Sequence, residues 1–440
     1  MKTINIRIIV PAFILLAAAS CSQDPIFYII SRETALQKPL VQGSPTNIVV
    51  FEREYPLVSE PETEGEPEPE PVLTARVPIM FVASGRIHWY AKSELGAGDS
   101  RWNADEYKIV QPGGRIIALA ATNEHLYALC MTGHGVNTNL KRLGHDGTET
   151  EWEEIVSEVA NYPFIQSIYA DPSVNRLFAG ARINNKERSE FAFLYLADDS
   201  TLKLLKDETS MISGAVYRDD GFHYLSSIGS GIFQISEADL AAGTTTGILQ
   251  LEDVSDLKDS DKHNNRTIMG IIKLEDAAQT IIAVERNGGA FYDVQNGSLA
   301  RIQYSGENST WIETGKLATG VLALWTNGSR DVLVAGIQGG LYNTVSSSYT
   351  HGYVEFDLDS AGSLDITVPR RDPGRLVTVE DNDRYTATIG KHPLNDLFQA
   401  PLSVDDNMTF FASTQNAGLW SYRDRPKIGG LQWNAETRAR

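Results

Sequence analysis

Short apolar runs, separated by Gly, Asn, Asp and Ser, recur along the whole chain. Most runs are about four to eight residues long and are rich in Val, Ile, Phe and Tyr, which is typical of β-strands. Helical periodicity is scarce, and only the stretch SEADLAAG at 236–243 predicts a helical turn. The pattern therefore predicts an all-β protein.

One strand-turn-strand pattern recurs in the second half of the chain. Its four copies lie at 225–235, 283–293, 334–344 and 412–422. In each copy the turn is followed by a Gly, one apolar residue and an aromatic residue, and these pairs are Gly231 and Phe233, Gly289 and Phe291, Gly340 and Tyr342, and Gly418 and Trp420. Gly adopts the positive φ that a tight hairpin needs. We expect the aromatic residues to pack between neighbouring repeats.

Copies of this hairpin recur about every 50 to 80 residues, which is typical of repeat proteins. Repeated antiparallel units of four strands predict a β-propeller. We assign about seven blades, namely 46–112, 113–160, 161–208, 209–254, 265–306, 315–390 and 391–437. Units one to three lack the complete triplet, so six and eight blades remain as alternatives.

The order of strands within a unit is also predicted. The first strand is apolar and rich in small residues, and the second is almost continuously apolar, which indicates burial on both faces. In the sixth unit we assign 340–345 as the third strand, 353–358 as the fourth and 364–369 as an excursion.

The first twenty residues are organised like a secretory signal peptide. Lys2 and Arg7 are followed by an apolar segment at 8–19, which is short for a membrane-spanning helix. The small residues at 18–20 lead into Cys21, as in a bacterial lipobox. We therefore predict a lipoprotein anchored by acyl chains such as palmitate on Cys21, with an ordinary cleavable signal as the alternative.

One segment, SEPETEGEPEPEP at 59–71, carries six Glu and no basic residue, which predicts an extended, solvated chain. It is either a linker to a domain that starts near Val77 or an insertion between two strands of the first blade. We favour the insertion, since loop-closure entropy rises slowly with length. The predicted organisation is a signal peptide at 1–20, a lipidated N-terminus and tether at 21–45, and a propeller at 46–437.

Charge and cysteine content narrow the function classes. The net charge of −19 argues against nucleic-acid binding and against electrostatic adhesion to anionic lipid. Of the two cysteines, Cys130 has no partner if Cys21 is acylated, and its apolar strand predicts a buried thiol. A disulfide scaffold is therefore excluded.

Motifs for catalysis and cofactors are missing from the sequence, including HExxH, the P-loop, GxSxG and the sialidase and quinoprotein repeats of catalytic propellers. His134, His145 and Asp146 flank one hairpin, and the acidic run at 252–266 lacks the Gly turn and the terminal Glu of a calcium loop. The basic cluster at 370–375, with Arg370, Arg371 and Arg375, is expected to balance nearby acids. We predict no cofactor and no metal site.

The segments CSQDPIFYIIS at 21–31 and GSPTNIVVF at 43–51 resemble the mature N-termini of a family of spirochaete lipoproteins, especially those of treponemes. The closing GLWSYR and LQWN stretches resemble the same family. This resemblance implies a propeller lipoprotein of unassigned function, and it implies no catalytic residues. Ser22 after Cys21 favours the outer membrane.

Three functional hypotheses follow. The favoured one is a non-catalytic binding or scaffolding module in the envelope, in contact with an envelope or extracellular protein, or with a glycan, through the loops at 52–76, 255–266 and 360–390. The second is a carbohydrate-active enzyme, a glycosidase or lyase, or a lectin. For that enzyme we expect a carboxylate pair in the central channel, whereas small apolar lining residues would contradict it. The third makes 59–71 the functional element.

Overall fold

The computed structural model describes most of the chain between residues 41 and 435. The described residues are 41, 43–56, 74–90, 107–133, 137–146, 151–157, 164–182, 191–198, 200–208, 210–253, 266–274, 279–286, 291–302, 317–327, 330–338, 351–358, 364–371, 392–399, 410–424 and 431–435. The predicted signal peptide, Cys21 and the acidic segment 59–71 lie outside them, as do Gly289, Gly340 and Tyr342. In the described part of the chain, no helix has the length and apolarity needed to cross a membrane.

The described chain is built from strands that follow one another as antiparallel meanders, in groups of four that we call units. Unit one contains β1 (Ile48–Pro56), β2 (Thr74–Ala83), β3 (Ile87–Tyr90) and β4 (Tyr107–Val110). Unit two contains β5 (Arg115–Ala121), β6 (His125–Thr132), β7 (Asn137–Gly144) and β8 (Glu153–Ser157). Unit three contains β9 (Phe164–Ala170), β10 (Leu177–Arg182), β11 (Phe191–Asp198) and β12 (Thr201–Glu208).

The remaining described units follow the same order. Unit four contains β13 (Ile212–Arg218), β14 (Phe222–Ser227), β15 (Gly231–Ser236), the helix α1 (Glu237–Ala241) and β16 (Leu249–Gln250). The strand β17 (Glu252–Asp253) precedes unit five, which contains β18 (Ile268–Lys273), β19 (Ile281–Glu285), β20 (Phe291–Gln295) and β21 (Ser298–Arg301). Unit six contains β22 (Leu317–Asn327), β23 (Arg330–Gln338), β24 (His351–Leu358) and β25 (Leu364–Arg371), and unit seven contains β26 (Leu394–Gln399), β27 (Phe410–Thr414), β28 (Gly418–Asp424) and β29 (Leu431–Ala435).

Two parallel pairings join neighbouring units at their outer strands. β8 of unit two pairs with β12 of unit three, so that these units form one eight-stranded sheet. β17, which follows unit four, pairs with β21 of unit five. The units are thus linked at the rim as well as near the centre.

The predicted strand order of unit six is wrong after its second strand. β23 pairs along its length with β24, from Val332↔Asp357 to Gln338↔His351, so 351–358 is the third strand rather than 340–345. The stretch predicted as an excursion belongs to the fourth strand, β25. The Gly-apolar-aromatic pattern at 340–342 predicts a third strand there, whereas the strand that pairs with β23 begins only at His351, after a longer connection.

The first strands of the units lie side by side around a central channel. Hydrogen bonds or close packing join β1 to β5, β9 to β13, β13 to β18, β18 to β22 and β26 to β1. The pairs β5 with β9 and β22 with β26 are also in contact. Strands of antiparallel units that run in sequence around one axis define a β-propeller, and the predicted all-β class is confirmed.

A β-bulge recurs near the start of the first strand. The pairing with the second strand shifts between Ile116 and Ala118, between Ile212 and Gly214, and between Leu394 and Asp396, among others. Bulges bend a strand and redirect its side chains. Side chains at or beside the bulge reach the next unit, as when Ser213 Oγ donates to the carbonyl of Ile268 over 2.7 Å.

The inner strands approach so closely that some positions admit only Gly. A Cβ atom on Gly270 would overlap the carbonyl of Gly320 in the next unit. Gly320 also has a φ of 89°, a conformation that side chains other than Gly rarely adopt. This contact explains why small residues occur on the first strands.

The first and the last of the described units meet at one seam of the ring. The Ile48 N–H donates to Asp396 Oδ2 over 2.7 Å, and the Asn395 side chain donates to the carbonyl of Pro45 over 2.6 Å. Val41 is buried in a cluster with Ile48 and Leu419. β29 pairs with β28, so the C-terminal strand completes unit seven and β1 belongs to unit one.

Most second strands are buried along almost all of their length, as predicted, and β27 is buried at each of its five positions. The apolar clusters cross the boundaries between units. Phe291 of unit five contacts Phe356 of unit six at a ring-centroid distance of 5.1 Å, and Phe193 of unit three contacts Phe233 of unit four at 5.4 Å. Burial of aromatic side chains between units therefore supplies much of the core.

Candidate functional site: the central channel and the two faces

The ends of the first strands define two faces. The exit face is the end of the ring at which the first strands finish, and it is marked by Ala121, Ala170 and Lys273. The entry face is the end at which the first strands begin, and it is marked by Ile116 and Ile268. These ends are aligned around the ring, because contacts between adjacent units join like ends.

On the exit face, Asp171, which follows β9, accepts from the Tyr217 N–H over 2.8 Å and lies 3.2 Å from Lys273 Nζ. On the entry face, Gly85, between β2 and β3, pairs with Ile116, and Ile228 pairs with Thr267. The first strands therefore run in the same direction around the channel.

The channel has a volume of about 890 Å³, and first strands of all the described units contribute to its wall. Its described lining consists of apolar side chains, Gly, hydroxyl groups and carboxamides, together with a single ionisable carboxyl group, that of Asp396. A glycosidase needs two carboxyl groups about 5 to 10 Å apart. The described wall therefore lacks the pair that the enzyme hypothesis requires at this place.

Asp396 occupies the seam between unit seven and unit one. Its Oδ2 accepts from Ile48 N–H, and its Oδ1 accepts from the Leu397 N–H over 2.9 Å. Burial raises the pKa of this carboxyl to about 7, because desolvation of the charged form outweighs the two backbone hydrogen bonds. Asp396 thus joins two units and changes its charge near neutral pH.

Other polar side chains of the channel wall also connect neighbouring units. The Asn47 side chain accepts from the Leu119 N–H over 2.9 Å and donates to the Leu119 carbonyl over 2.5 Å. The Gln166 Oε1 and Thr319 Oγ1 atoms are buried and have no hydrogen-bond partner within the described structure. Asn47 and Asp396 thus use their polar atoms to join neighbouring units of the ring.

A partly buried ion-pair network spans units three and four near the exit face. Glu237, the first residue of α1, pairs with Arg176 and lies 2.6 Å from His223 Nε2. Burial opposes ionisation of Glu237, but hydrogen bonds from His223 and Arg176 prevail and lower its pKa to about 2. The network fixes α1 across the boundary between these units.

Asp171 joins units three, four and five in a similar way. Burial raises the pKa of its carboxyl, but hydrogen bonds from Ser173 and Tyr217 and the charge of Lys273 outweigh that effect, so the net pKa is lowered. The exit face is therefore held by ionised acids whose partners belong to adjacent units.

Of the candidate metal ligands that flank one predicted hairpin, the structure describes His145 and Asp146. Among the described residues, no group of three His, Cys, Asp or Glu side chains is placed to hold a metal ion. His145 instead stacks on Phe51 at 4.6 Å, and its ring nitrogens lie 2.6 Å from the carbonyl of Glu52 and 3.0 Å from that of Asn123. His134 and most of 252–266 lie outside the described residues.

Two further predicted features can be located. Cys130 is a buried free thiol, as expected, and burial raises its pKa to about 11. This elevated pKa makes the Cys130 thiol a poor nucleophile.

Of the predicted basic cluster, Arg370 and Arg371 are the last two residues of β25, whereas Arg375 lies outside the described residues.

The residues of the recurring hairpin occupy the boundaries between units. Gly231 and Gly418 have φ values of 77° and 78° at the start of their strands. Phe233 and Phe291 are buried, and Trp420 packs against a cluster shared by units six and seven while its Nε1 donates to the Ala417 carbonyl over 2.9 Å. These aromatic rings are packed in the core or against it.

The three loops proposed as contact elements do not share a face. Residues 57–73 connect β1 to β2, which are paired from Ile48↔Val82 to Pro56↔Thr74, and this connection leaves from the exit face. The segments 254–265 and 372–391 connect a preceding unit to the first strands β18 and β26, and therefore join the entry face. Of the three, only the acidic connection and the 359–363 part of the excursion leave from the exit side.

No protein-family model and no curated relative matches the chain. The chain is similar in structure to YCF48 from Cyanidioschyzon merolae, with a TM-score of 0.47 and 12% identity over 89% of this chain and 98% of that chain. It is also similar to the GH74 xyloglucanase from Xanthomonas campestris, with a TM-score of 0.48 and 13% identity over 91% of this chain and 55% of the xyloglucanase.

A structure of YCF48 bound to D1 peptide is similar with a TM-score of 0.41 and 13% identity, over 74% of this chain and 82% of that chain. Because these TM-scores and identities are low, we base the propeller assignment on the arrangement of the first strands. The chain is thus identified by its fold, as a β-propeller protein.

Proposed function

We propose that this protein is a lipid-anchored bacterial envelope protein whose propeller is a non-catalytic binding or scaffolding module. In this proposal the signal peptide at 1–20 is removed and Cys21 is acylated at the outer membrane. The N-terminal sequence supports the anchor through its charged, apolar and small-residue order. The resemblance of 21–31 and 43–51 to treponemal lipoproteins agrees with this location.

We also propose that the seven units are the seven blades of a complete ring. The seam between Ile48 and Asp396 supports this count, because it joins the first strand of unit one to that of unit seven. A ring closed by hydrogen bonds and apolar packing offers a rigid surface on which loops can vary independently.

The composition of the channel wall carries the functional proposal. Its single carboxyl group is hydrogen-bonded to the backbone at a seam, and no second acid or base accompanies it in the described lining. The enzyme alternative, a glycosidase, needs two positioned carboxyl groups rather than one. This wall favours binding over catalysis and directs attention to the faces.

We place the partner-binding surface on the exit face. Glu52, Glu124 and Asp219 are exposed there, and the connection between β1 and β2, which leaves from this face, contains six Glu in its sequence. A surface of this charge attracts a partner with exposed Lys or Arg and raises the rate of association at low salt.

The test is capture of partners by the purified acylated protein from detergent extracts of its native envelope, alongside a glycan panel. We expect one envelope protein in stoichiometric yield, and loss of that protein when 59–71 is deleted or when Glu124 and Asp219 are replaced by Lys. Glu154→Lys on the outer strand β8 is the matched control and should retain it. Binding of a glycan without a protein partner would contradict the proposal and favour a lectin or carbohydrate-active enzyme.

A further inference from the structure

The N-terminal lead-in reaches the ring at the entry face. The Gly418 N–H donates to the Gly43 carbonyl over 2.9 Å, and the Leu419 N–H donates to that of Val41 over 3.1 Å. Ser44 Oγ accepts from the Asn416 N–H over 2.9 Å, in the turn between β27 and β28 that belongs to this face. The chain from Cys21 to Val41 can span about 70 Å at most, and it joins the ring at the entry face.

Exposed arginines occur on this same face. Arg86 lies in the turn between β2 and β3, Arg115 begins β5, Arg182 ends β10 and Arg286 follows the end of β19, and each of the four is exposed. They belong to units one, two, three and five, so the positive charge is spread over a large part of the ring.

Among the described residues, acidic groups at this end are fewer or paired. The connections 254–265 and 372–391, which join the same face, contain seven Asp or Glu and five Lys or Arg. Glu285 accepts from Tyr292 and lies 3.5 Å from Arg266, and Glu208 lies 3.6 Å from Lys206 and accepts from Ser230. Asp207, near the end of β12, is the exposed carboxylate that the described residues place close to this face. The exit face has the opposite character, since it presents exposed acids and carries the Glu-rich connection.

We propose that the entry face lies against the anionic headgroups of the membrane that holds the lipid anchor, with Arg86, Arg115, Arg182 and Arg286 contacting lipid phosphates. The proposal rests on the acylation proposed for Cys21. Each Arg near an anionic surface is attracted within about one Debye length, roughly 8 Å at physiological salt. The tether keeps the face within reach of the surface, and the exit face is then turned away from the membrane.

This orientation reconciles the net charge of −19 with membrane contact. A uniformly acidic body would be repelled by anionic lipid, whereas a body with separated charge turns its basic side to the surface. The same orientation presents the acidic exit face to a partner in the adjoining space.

Quenching of fluorescent labels by headgroup-labelled lipid tests the orientation. The acylated full chain carries one label at Gln111→Cys, on the entry face, or at Glu124→Cys, on the exit face, and is reconstituted into phosphatidylcholine vesicles with or without phosphatidylglycerol. Both positions are exposed, and Cys130 is buried and therefore unlabelled.

We expect the Gln111→Cys label to be quenched at least about twofold more than the Glu124→Cys label in phosphatidylglycerol vesicles. The reason is that the arginines are attracted to the anionic headgroups and hold the entry face near the quencher. High salt and the Arg86→Gln/Arg115→Gln pair should each reduce this ratio. The matched pair Arg76→Gln/Lys203→Gln removes the same charge from positions nearer the exit face and should leave the ratio unchanged.

Equal quenching of the two labels in anionic vesicles, with acylation verified by mass, would overturn the orientation while the anchor stands. A ratio that is insensitive to phosphatidylglycerol and to the arginine pair would also overturn it. Absence of the acyl mass on Cys21 would instead overturn the proposed anchor, so the two failures are distinguishable.

Discussion

The Ile48 N–H donates a hydrogen bond to Asp396 Oδ2 over 2.7 Å, and this bond joins residues that are 348 positions apart in the chain. It links the first strand of unit one to the first strand of unit seven. Because a propeller without a secure seam can open between its first and last units, this pair bears directly on the rigidity of the ring.

Asp396→Ala should lower the free energy of unfolding by about 1–3 kcal/mol, because the buried Ile48 N–H loses its acceptor. Urea unfolding followed by tryptophan fluorescence measures the change. Asp396→Asn is the matched control, since its carbonyl oxygen still accepts from Ile48, and it should be affected less. An Asp396→Ala protein as stable as the wild type would show that the seam is held elsewhere.

Stability should depend on pH through Asp396. Its pKa is raised from 3.8 to about 7 by desolvation, so the folded state binds the proton more tightly than the unfolded state between these values. The contribution of Asp396 to the free energy of unfolding therefore falls as pH rises from about 4 to about 7. Compared with Asp396→Asn, the wild type should be relatively more stable at low pH within this range.

Urea unfolding of both proteins at the two ends of that pH range provides the measurement. The difference between them isolates Asp396 from the other carboxyl groups, which titrate in both proteins. A difference in stability that does not vary with pH would contradict the raised pKa.

Gly270→Ala should destabilise the ring by about 1–3 kcal/mol or more, because the new Cβ overlaps the Gly320 carbonyl of the next unit. Gly297→Ala is the control, with a φ of 80° but no atom within 4 Å of the added Cβ. The control should cost only about 1 kcal/mol, for its backbone conformation. Thermal unfolding separates the two, and equal losses would show that the inner strands can move apart.

Phe291→Ala should cost about 3–5 kcal/mol, since the ring is buried between units five and six against Phe356. Ile109→Ala, at an apolar side chain that is 49% exposed on β4, should change the stability by about 0.5 kcal/mol or less. Chemical denaturation gives both values. A small loss at Phe291 would argue that this aromatic ring serves a ligand rather than the core.

Much of the fold is predictable from the sequence because strand periodicity and turn residues are local signals. The helix α1 lies within the predicted helical stretch at 236–243, and β27 has the continuous burial predicted for second strands. The prediction for unit six is wrong because the triplet at 340–342 has the local pattern of a third strand. Which segment pairs with β23 is decided by hydrogen bonds between strands, and that segment is 351–358.

The features that build the channel were not predictable in this way. The bulge beside Ser213, the closeness of Gly270 to Gly320 and the role of Asp396 depend on contacts between units. Nothing in a single strand indicates its neighbour around the ring. The lipidation of Cys21 and the resemblance to spirochaete lipoproteins stay predictions.

The direct test of the central claim is site-specific photocrosslinking of the full chain in its native cells. A photoreactive residue is placed at Glu124 on the exit face, at Gln111 on the entry face or at Glu154 on the outer strand β8, all of which are exposed. The account predicts one discrete protein adduct from Glu124 and none from the other two positions. A protein adduct from Gln111 or Glu154, without one from Glu124, would contradict it.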